Sequence, residues 1–274
     1  MSKKVTLGKI NIKNDNEKLL LISGPCLLES EKLIRQVASK LIKFSSENNF
    51  NFVFKCSFDK ANRSSDKTTR SKVSIEKSID ILKNLKKDLK IPITCDVHET
   101  YHIEKLESLL DIIQIPAFLC RQTDLIRVAA QTKKIVNVKK GQFLSHQEIE
   151  NIILKIENQN NKKILITERG NSFGYNYLIN DFKGIHFMKQ FGYPIIFDST
   201  HSVQLPGGMG IKSGGAREYV VPLSKSASSL RLAGFFIETH PNPEKALSDG
   251  PNMMHLHNMP KLLNSINKIN KAAK

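Results

Sequence analysis

Along the chain, short and nearly continuous apolar runs alternate with longer stretches in which apolar residues recur three and four positions apart. The first pattern is that of a strand buried on both faces, and the second is the single apolar stripe of an amphipathic helix. Strands are predicted at 19–23, 52–56, 93–97, 112–115, 135–138, 164–167, 194–197 and 234–238. Helical stripes lie between them: Leu33, Val37, Leu41 and Phe44 follow the first strand, and Ile149, Ile152, Ile153 and Ile156 follow the fifth. Leu262, Leu263, Ile266 and Ile269 give the last strand its helix. Eight strand–helix units predict an α/β fold, a (β/α)8 or TIM barrel.

Two local signals refine this picture. Val5, Leu7, Ile10 and Ile12 alternate with polar residues around Gly8-Lys9, which predicts an N-terminal β-hairpin within residues 1–17, placed to cap the barrel bottom. Ser145-His146-Gln147-Glu148 has the reciprocal serine–glutamate pattern that opens a helix. Without a linker or a long Pro/Gly-rich stretch, residues 1–274 are expected to form one barrel domain.

Composition is compatible with one large core. The 274 residues suit a barrel of about 250 residues, and 40% hydrophobic with 25% charged residues allows burial without disulfides. Apolar runs fall short of the roughly 18 residues of a membrane span, and Met1-Ser2-Lys3-Lys4 does not lead into a signal-type apolar block. A cytoplasmic protein with no membrane partner is expected. Cys26, Cys56, Cys95 and Cys120 are scattered and contain no Cys-x-x-Cys pair, which predicts reduced thiols. The formal charge of +16 would suit a polyanion, but the lysines are spread along solvated helix faces and no nucleic-acid-binding motif accompanies them. Nucleic acid is therefore not an expected partner.

In such a barrel the loops after the strands build the active site. Past successive strands come Cys26; Lys55 with Lys60, Asn62, Arg63, Ser64 and Ser65; Asp96 and His98; Gln114; Lys139 and Lys140; Glu168 and Arg169; Asp198 and His201; and Glu238 and His240. Lys55, Lys60, Arg63, Lys139, Lys140 and Arg169 are expected at one mouth, and so many cations imply a multiply charged phosphate ligand. Arg63, Ser64 and Ser65 offer a guanidinium fork and two hydroxyls to one phosphate, and Lys139 with Arg169 suits another. If Lys55 and Asp96 face the mouth, alternation turns Cys56 and Cys95 toward the helices as structural thiols.

Several stretches together carry a resemblance over nearly the whole chain: Gly24-Pro25-Cys26, Phe54-Lys55, the segment from Ser57 to Ser65, Asp96-Val97-His98-Glu99, the segment from Gln114 to Asp124, Asn137-Val138-Lys139-Lys140-Gly141, Phe173-Gly174-Tyr175-Asn176, the segment from Phe197 to Gln204, Ser213-Gly214-Gly215 and Glu238-Thr239-His240-Pro241. The chain resembles the 3-deoxy-D-manno-octulosonate 8-phosphate synthases, also called 2-dehydro-3-deoxyphosphooctonate aldolases. The resemblance implies condensation of phosphoenolpyruvate with D-arabinose 5-phosphate and water, releasing phosphate and forming an eight-carbon sugar acid of lipopolysaccharide. It implies that Lys60, Lys139 and Arg169 hold phosphoenolpyruvate with Lys55 and Gln114 nearby. Asn62, Arg63 and Ser64 would hold the pentose phosphate, joined by Arg121 from a neighbouring subunit of a homotetramer. Asp96, Lys60, His201 and Asp249 are the candidate catalytic groups.

The family has metal-dependent and metal-independent branches, the latter carrying asparagine where this chain has Cys26. The resemblance therefore implies a divalent metal held by Cys26, His201, Glu238 and Asp249, a mixed donor set suited to iron, zinc, manganese or cobalt. One departure is that the family's Gly-x-Gly after Ser65 is replaced by the stretch from Asp66 to Ser74. The related synthases that use erythrose 4-phosphate are the alternative, and Ala61-Asn62-Arg63-Ser64-Ser65 argues against them because they have a Lys-Pro-Arg-type segment there.

Overall fold

Strand pairing runs around a circle and closes on itself. The computed structural model describes residues 2–59, 73–206 and 214–274. Eight parallel strands, β1 (Leu20–Gly24), β2 (Asn51–Lys55), β3 (Ile93–Asp96), β4 (Ile112–Ile115), β5 (Ile135–Lys139), β6 (Ile164–Glu168), β7 (Ile195–Asp198) and β8 (Gly234–His240), pair in sequence order, and β8 returns to β1. The closing register places Gly234 beside Leu20 and Glu238 beside Gly24. The eight predicted strands are all present, with no end moved by more than two residues.

Helices α1 (Glu31–Glu47), α2 (Ile75–Leu89), α3 (Thr100–Leu106), α4 (Thr123–Gln131), α5 (Ile149–Glu157), α6 (Phe182–Met188), α7 (Val220–Ser228) and α8 (Met259–Ala272) follow the strands. Local chemistry sets several starts: Ser30 and Ser74 accept from the amides three residues on, and Asp181 accepts from Lys183 and Gly184. At Ser145 the reciprocal cap forms, with the serine amide donating to Glu148 at 2.8 Å.

Two apolar clusters divide the core. The outer one fills the space between barrel and helices and includes Cys56 and Cys95, as their alternation with Lys55 and Asp96 requires. The inner one is the barrel floor: Leu20, Ile22, Val53, Ile112, Ile135, Leu165, Ile196 and Phe236 point inward. Val5 and Ile12, paired across the predicted hairpin (Val5–Leu7 with Ile10–Ile12), join this floor and seal the strands' N-terminal end. Short strand pairs not foreseen from periodicity decorate the other end: Asn171–Ser172 with Leu178–Ile179, and Gln204–Leu205 with Gly214–Gly215. Two-residue strands carry too few residues for a period to register. Among the described residues no helix is long and apolar enough to cross a membrane.

Candidate active site

Period-two alternation carries the inward faces of the strands from an apolar floor to a charged rim. Val53 is followed by Lys55, Ile112 by Gln114, Ile196 by Asp198 and Phe236 by Glu238; Ile135 leads through Asn137 to Lys139, and Leu165 through Thr167 to Arg169. The middle layer is tied together, with Thr167 donating to Asn137 at 2.7 Å. Above it lies a cavity of about 470 Å³ lined by Lys55, Asp96, His98, Gln114, Lys139, Arg169, Asp198 and His201, with Pro116, Ala117, Phe118 and Leu119 as an apolar wall.

The cations here are mostly matched to carboxylates. Lys55 donates to Glu238 and to the Cys26 carbonyl. Lys139 donates to Asp198 and rests 3.1 Å from the centre of the Phe236 ring. Burial lowers the Lys139 ammonium to about pKa 8 despite Asp198. Burial alone would raise the Asp198 carboxyl, but His201 and Lys139 hold it well below the usual range, so it is ionised. Arg169 is different. It is buried, one end donates to Gln204, and its Nη1 has no hydrogen-bond partner among the described residues. A guanidinium keeps its charge in a protein, so this nitrogen is the strongest local demand for an anion.

Lys140 does not join them. It was expected at the mouth, but strand alternation turns it outward from β5 to a buried ion pair with Glu168. Arg121 is exposed and outside the cavity lining. Lys60, Asn62, Arg63, Ser64 and Ser65 lie outside the described residues.

Beside the cations, three metal-type donors meet and His201 stands next to them. Ligand atoms of Cys26, Glu238 and Asp249 lie within 4.8 Å of one another, and the Cys26 sulfur is 3.1 Å from Asp249 Oδ2. His201 Nδ1 is 2.9 Å from Asp198 Oδ2, while Nε2 faces Glu238 at 3.7 Å and Asp249 at 3.9 Å. Asp198 thus selects the tautomer protonated at Nδ1 and leaves the Nε2 lone pair toward the carboxylates, the usual arrangement behind a metal-ligating histidine. Thiolate, imidazole and two carboxylates fit a borderline divalent ion better than calcium or magnesium. Gly24 makes the approach of Cys26 feasible: a Cβ there would stand 1.9 Å from the Lys55 carbonyl oxygen.

Sequence reasoning gave no specific role to His98 or to Gln204. His98 lines the cavity with Nε2 3.1 Å from Asp96, whose other oxygen accepts from Ser57. Gln204 links Arg169 to Asp249. His98 was visible as a strand-end polar residue two positions after Asp96. Gln204 follows a short 3-10 turn and carries no periodic signal.

Residues 3–274 match the family model described as DAHP synthetase I family. The chain belongs to that family. Its curated relatives include proteins named 2-dehydro-3-deoxyphosphooctonate aldolase. That of Coxiella burnetii (strain RSA 493 / Nine Mile phase I) is 47% identical over 259 residues, covering 94% of this chain and 92% of the relative. That of Geobacter sulfurreducens is 43% identical over 274 residues and covers 100% of both chains. That of Fusobacterium nucleatum subsp. nucleatum is 43% identical over 271 residues, covering 99% of this chain and 97% of the relative. Family membership thus extends over the barrel and every described mouth residue.

Proposed function

We propose that this chain is a synthase that condenses phosphoenolpyruvate with D-arabinose 5-phosphate and water, giving 3-deoxy-D-manno-octulosonate 8-phosphate and inorganic phosphate for lipopolysaccharide. The observation that carries this reading is the meeting, in one barrel mouth, of buried Lys55, Lys139 and Arg169 with the thiol–imidazole–carboxylate cluster. The names of the relatives at 43–47% identity support the choice of substrates.

Phosphoenolpyruvate supplies the carbon nucleophile: its C3 bonds to the pentose aldehyde carbon, water adds at C2, and cleavage of the C2–O bond expels phosphate. Arg169 and Lys139 hold the phosphoenolpyruvate anion, with Lys60, Lys55 and Gln114 beside it. Asn62, Arg63 and Ser64 take the pentose phosphate. These cations cancel repulsion between two anionic substrates and hold their carbons in attack geometry. The water oxygen loses both protons as it becomes the C2 carbonyl, one going to the aldehyde oxygen and the other to the departing phosphate. We assign this traffic to Asp96, His201 and Asp249, and the contacts of Ser57 and His98 with the Asp96 carboxylate support its part in it.

Cys26, His201, Glu238 and Asp249 would hold a divalent ion, iron, zinc, manganese or cobalt, which supplies Lewis-acid polarisation and a template for the aldehyde. Arg121 is exposed and is not among the residues lining the cavity, and we assign it to the pentose phosphate held by a neighbouring subunit. That assignment requires a homo-oligomer, and the resemblance to the synthases makes it a homotetramer. Exposed Phe118, Phe143, Phe173 and Tyr175 provide apolar surface for it. A cytoplasmic location fits the reduced thiols.

Phosphate release from phosphoenolpyruvate, measured with arabinose 5-phosphate and separately with erythrose 4-phosphate, before and after chelation and metal readdition, tests the reading. Turnover only with the pentose phosphate, lost on chelation and restored by metal, is expected. Turnover with erythrose 4-phosphate alone transfers the chain to the other synthase activity, and turnover indifferent to chelation removes the metal.

A further inference from the structure

The ends of β5 and β6 each place two consecutive side chains on opposite sides of the barrel wall. Lys139 and Arg169 point into the mouth; Lys140 and Glu168 point into the layer beneath the helices. There Lys140 Nζ lies 3.6 Å from Glu168 Oε2, with both side chains fully buried. Such a pair is a costly way to fill space, because the loss of hydration of both charges offsets their attraction and apolar residues of similar volume often stabilise as well. What it adds is direction.

Lys140 also donates to the carbonyls of Leu144 at 3.1 Å and Gly141 at 3.3 Å and to Asn171 Oδ1, so it grips the loops after both strands. Glu168 Oε1 accepts from the Gly170 amide, and Oε2 lies 3.4 Å from His146 Nε2. Burial would raise the Glu168 carboxyl, but His146 and Lys140 hold it below its ordinary value, so Glu168 is ionised; burial lowers the Lys140 ammonium, and Glu168 opposes that shift. The His146 ring is itself wedged against α6, where a Cβ at Gly184 would stand 2.1 Å from Nδ1. Because neighbouring side chains of a strand point oppositely from one rigid backbone, a rotation that misaims Lys139 or Arg169 must also pull Lys140 from Glu168.

We propose that the Lys140–Glu168 ion pair, backed by His146, is a positioning device that sets the spacing and angle of Lys139 and Arg169 as a two-cation grip for a phosphorylated carboxylate. Lys140, Glu168 and His146 are then positioning residues, and the identity of that anion as phosphoenolpyruvate rests on the function proposed above. The two claims separate experimentally: wild-type turnover tests the function, and anion affinity without turnover tests the device.

Glu168→Gln and Gly184→Ala are the variants. The first neutralises the pair, and the second pushes His146 from behind without touching the mouth. Calorimetric affinity for phosphoenolpyruvate and for inorganic phosphate is read alongside the two Michaelis constants and a thermal melt. Affinity for both anions and the KM for phosphoenolpyruvate are expected to worsen about tenfold to a hundredfold, as small misplacements of a binding group do, with the KM for the pentose phosphate within about twofold. Lys140→Met is expected to reproduce the pattern, and Lys140→Met combined with Glu168→Gln to add little to either single change. His146→Gln, a milder change, decides the matter if Glu168→Gln does not fold. Unchanged anion affinity in a cooperatively melting variant, or equal rises in both Michaelis constants, overturns the proposal.

Discussion

Arg169 and Asp249, one at the end of β6 and the other in the loop after β8, are joined by a single side chain. The Gln204 carbonyl oxygen accepts from Arg169 Nη2, and its amide nitrogen donates to Asp249 Oδ1 at 3.0 Å. Only this orientation of the amide satisfies both neighbours, since the guanidinium only donates and the carboxylate only accepts. Asp198 does the same for Lys139 and His201, and Lys55 reaches Glu238 directly. Each of these three cations is therefore tied, directly or through one residue, to a member of the metal-type cluster. Coupling of this kind is reciprocal: whatever orders one member favours binding at the other.

Replacing Gln204 by alanine cuts the first of these ties and leaves a buried guanidinium nitrogen and a carboxylate oxygen without that partner. Hydrogen bonds to charged groups contribute about 1.5–3 kcal/mol, so affinity for phosphoenolpyruvate should fall by about tenfold or more. Metal affinity, read by competition with a coloured chelator, should weaken in the same variant. A change in only one of the two affinities would show that the link is geometric and not energetic.

Cys26→Ala removes the soft donor and keeps the Cys26 backbone carbonyl that accepts from Lys55. The variant should fold and still bind phosphoenolpyruvate, while metal retained per chain after dialysis falls well below that of the wild type. Elemental analysis decides this, and full retention would remove the thiol from the ligand set.

The barrel was legible because buried parallel strands and amphipathic helices leave different periods, and both recur eight times. Rim residues such as Lys55, Asp96 and Arg169 were legible for the same reason, as the last inward positions of strands whose earlier positions are apolar. Lys140 misled because a strand end ambiguous by one residue reverses the side on which a side chain lies. Gln204 was invisible because it acts by lying between two groups that the chain brings together from about 35 and 45 residues away, and no local pattern marks such a bridge.

The pH dependence of anion binding should expose Lys139. Its pKa is lowered to about 8 because burial removes hydration from the ammonium more than Asp198 restores. Between about pH 8 and the ordinary lysine value the unfolded chain binds more protons at this position, so this group alone makes stability rise with pH there. Anion binding moves the opposite way, because the charge that attracts the ligand is present below about pH 8 and lost above it. Sulfate is the suitable probe, since its own charge is constant across this range. Its affinity should fall about tenfold between about pH 7 and pH 9, and Lys139→Arg should flatten the profile. A flat wild-type profile would place the lysine's titration elsewhere.

Gly24 tests how tightly the rim is assembled. It ends β1 beside Glu238 of β8, and a Cβ there would stand 1.9 Å from the Lys55 carbonyl oxygen and 3.2 Å from the Phe54 ring. The clash is with backbone, so no side-chain rotation relieves it; β1 and β2 must move apart. Gly24→Ala should therefore destabilise the protein by about 1–3 kcal/mol, the usual range for overpacking. It should also cost metal and anion affinity together, because Cys26 follows Gly24 by two residues and Lys55 carries the displaced carbonyl. Denaturant melts combined with both binding assays separate the outcomes: lost stability with intact affinities would mean that the rim tolerates movement of these two strands and is held by β5 to β8 instead.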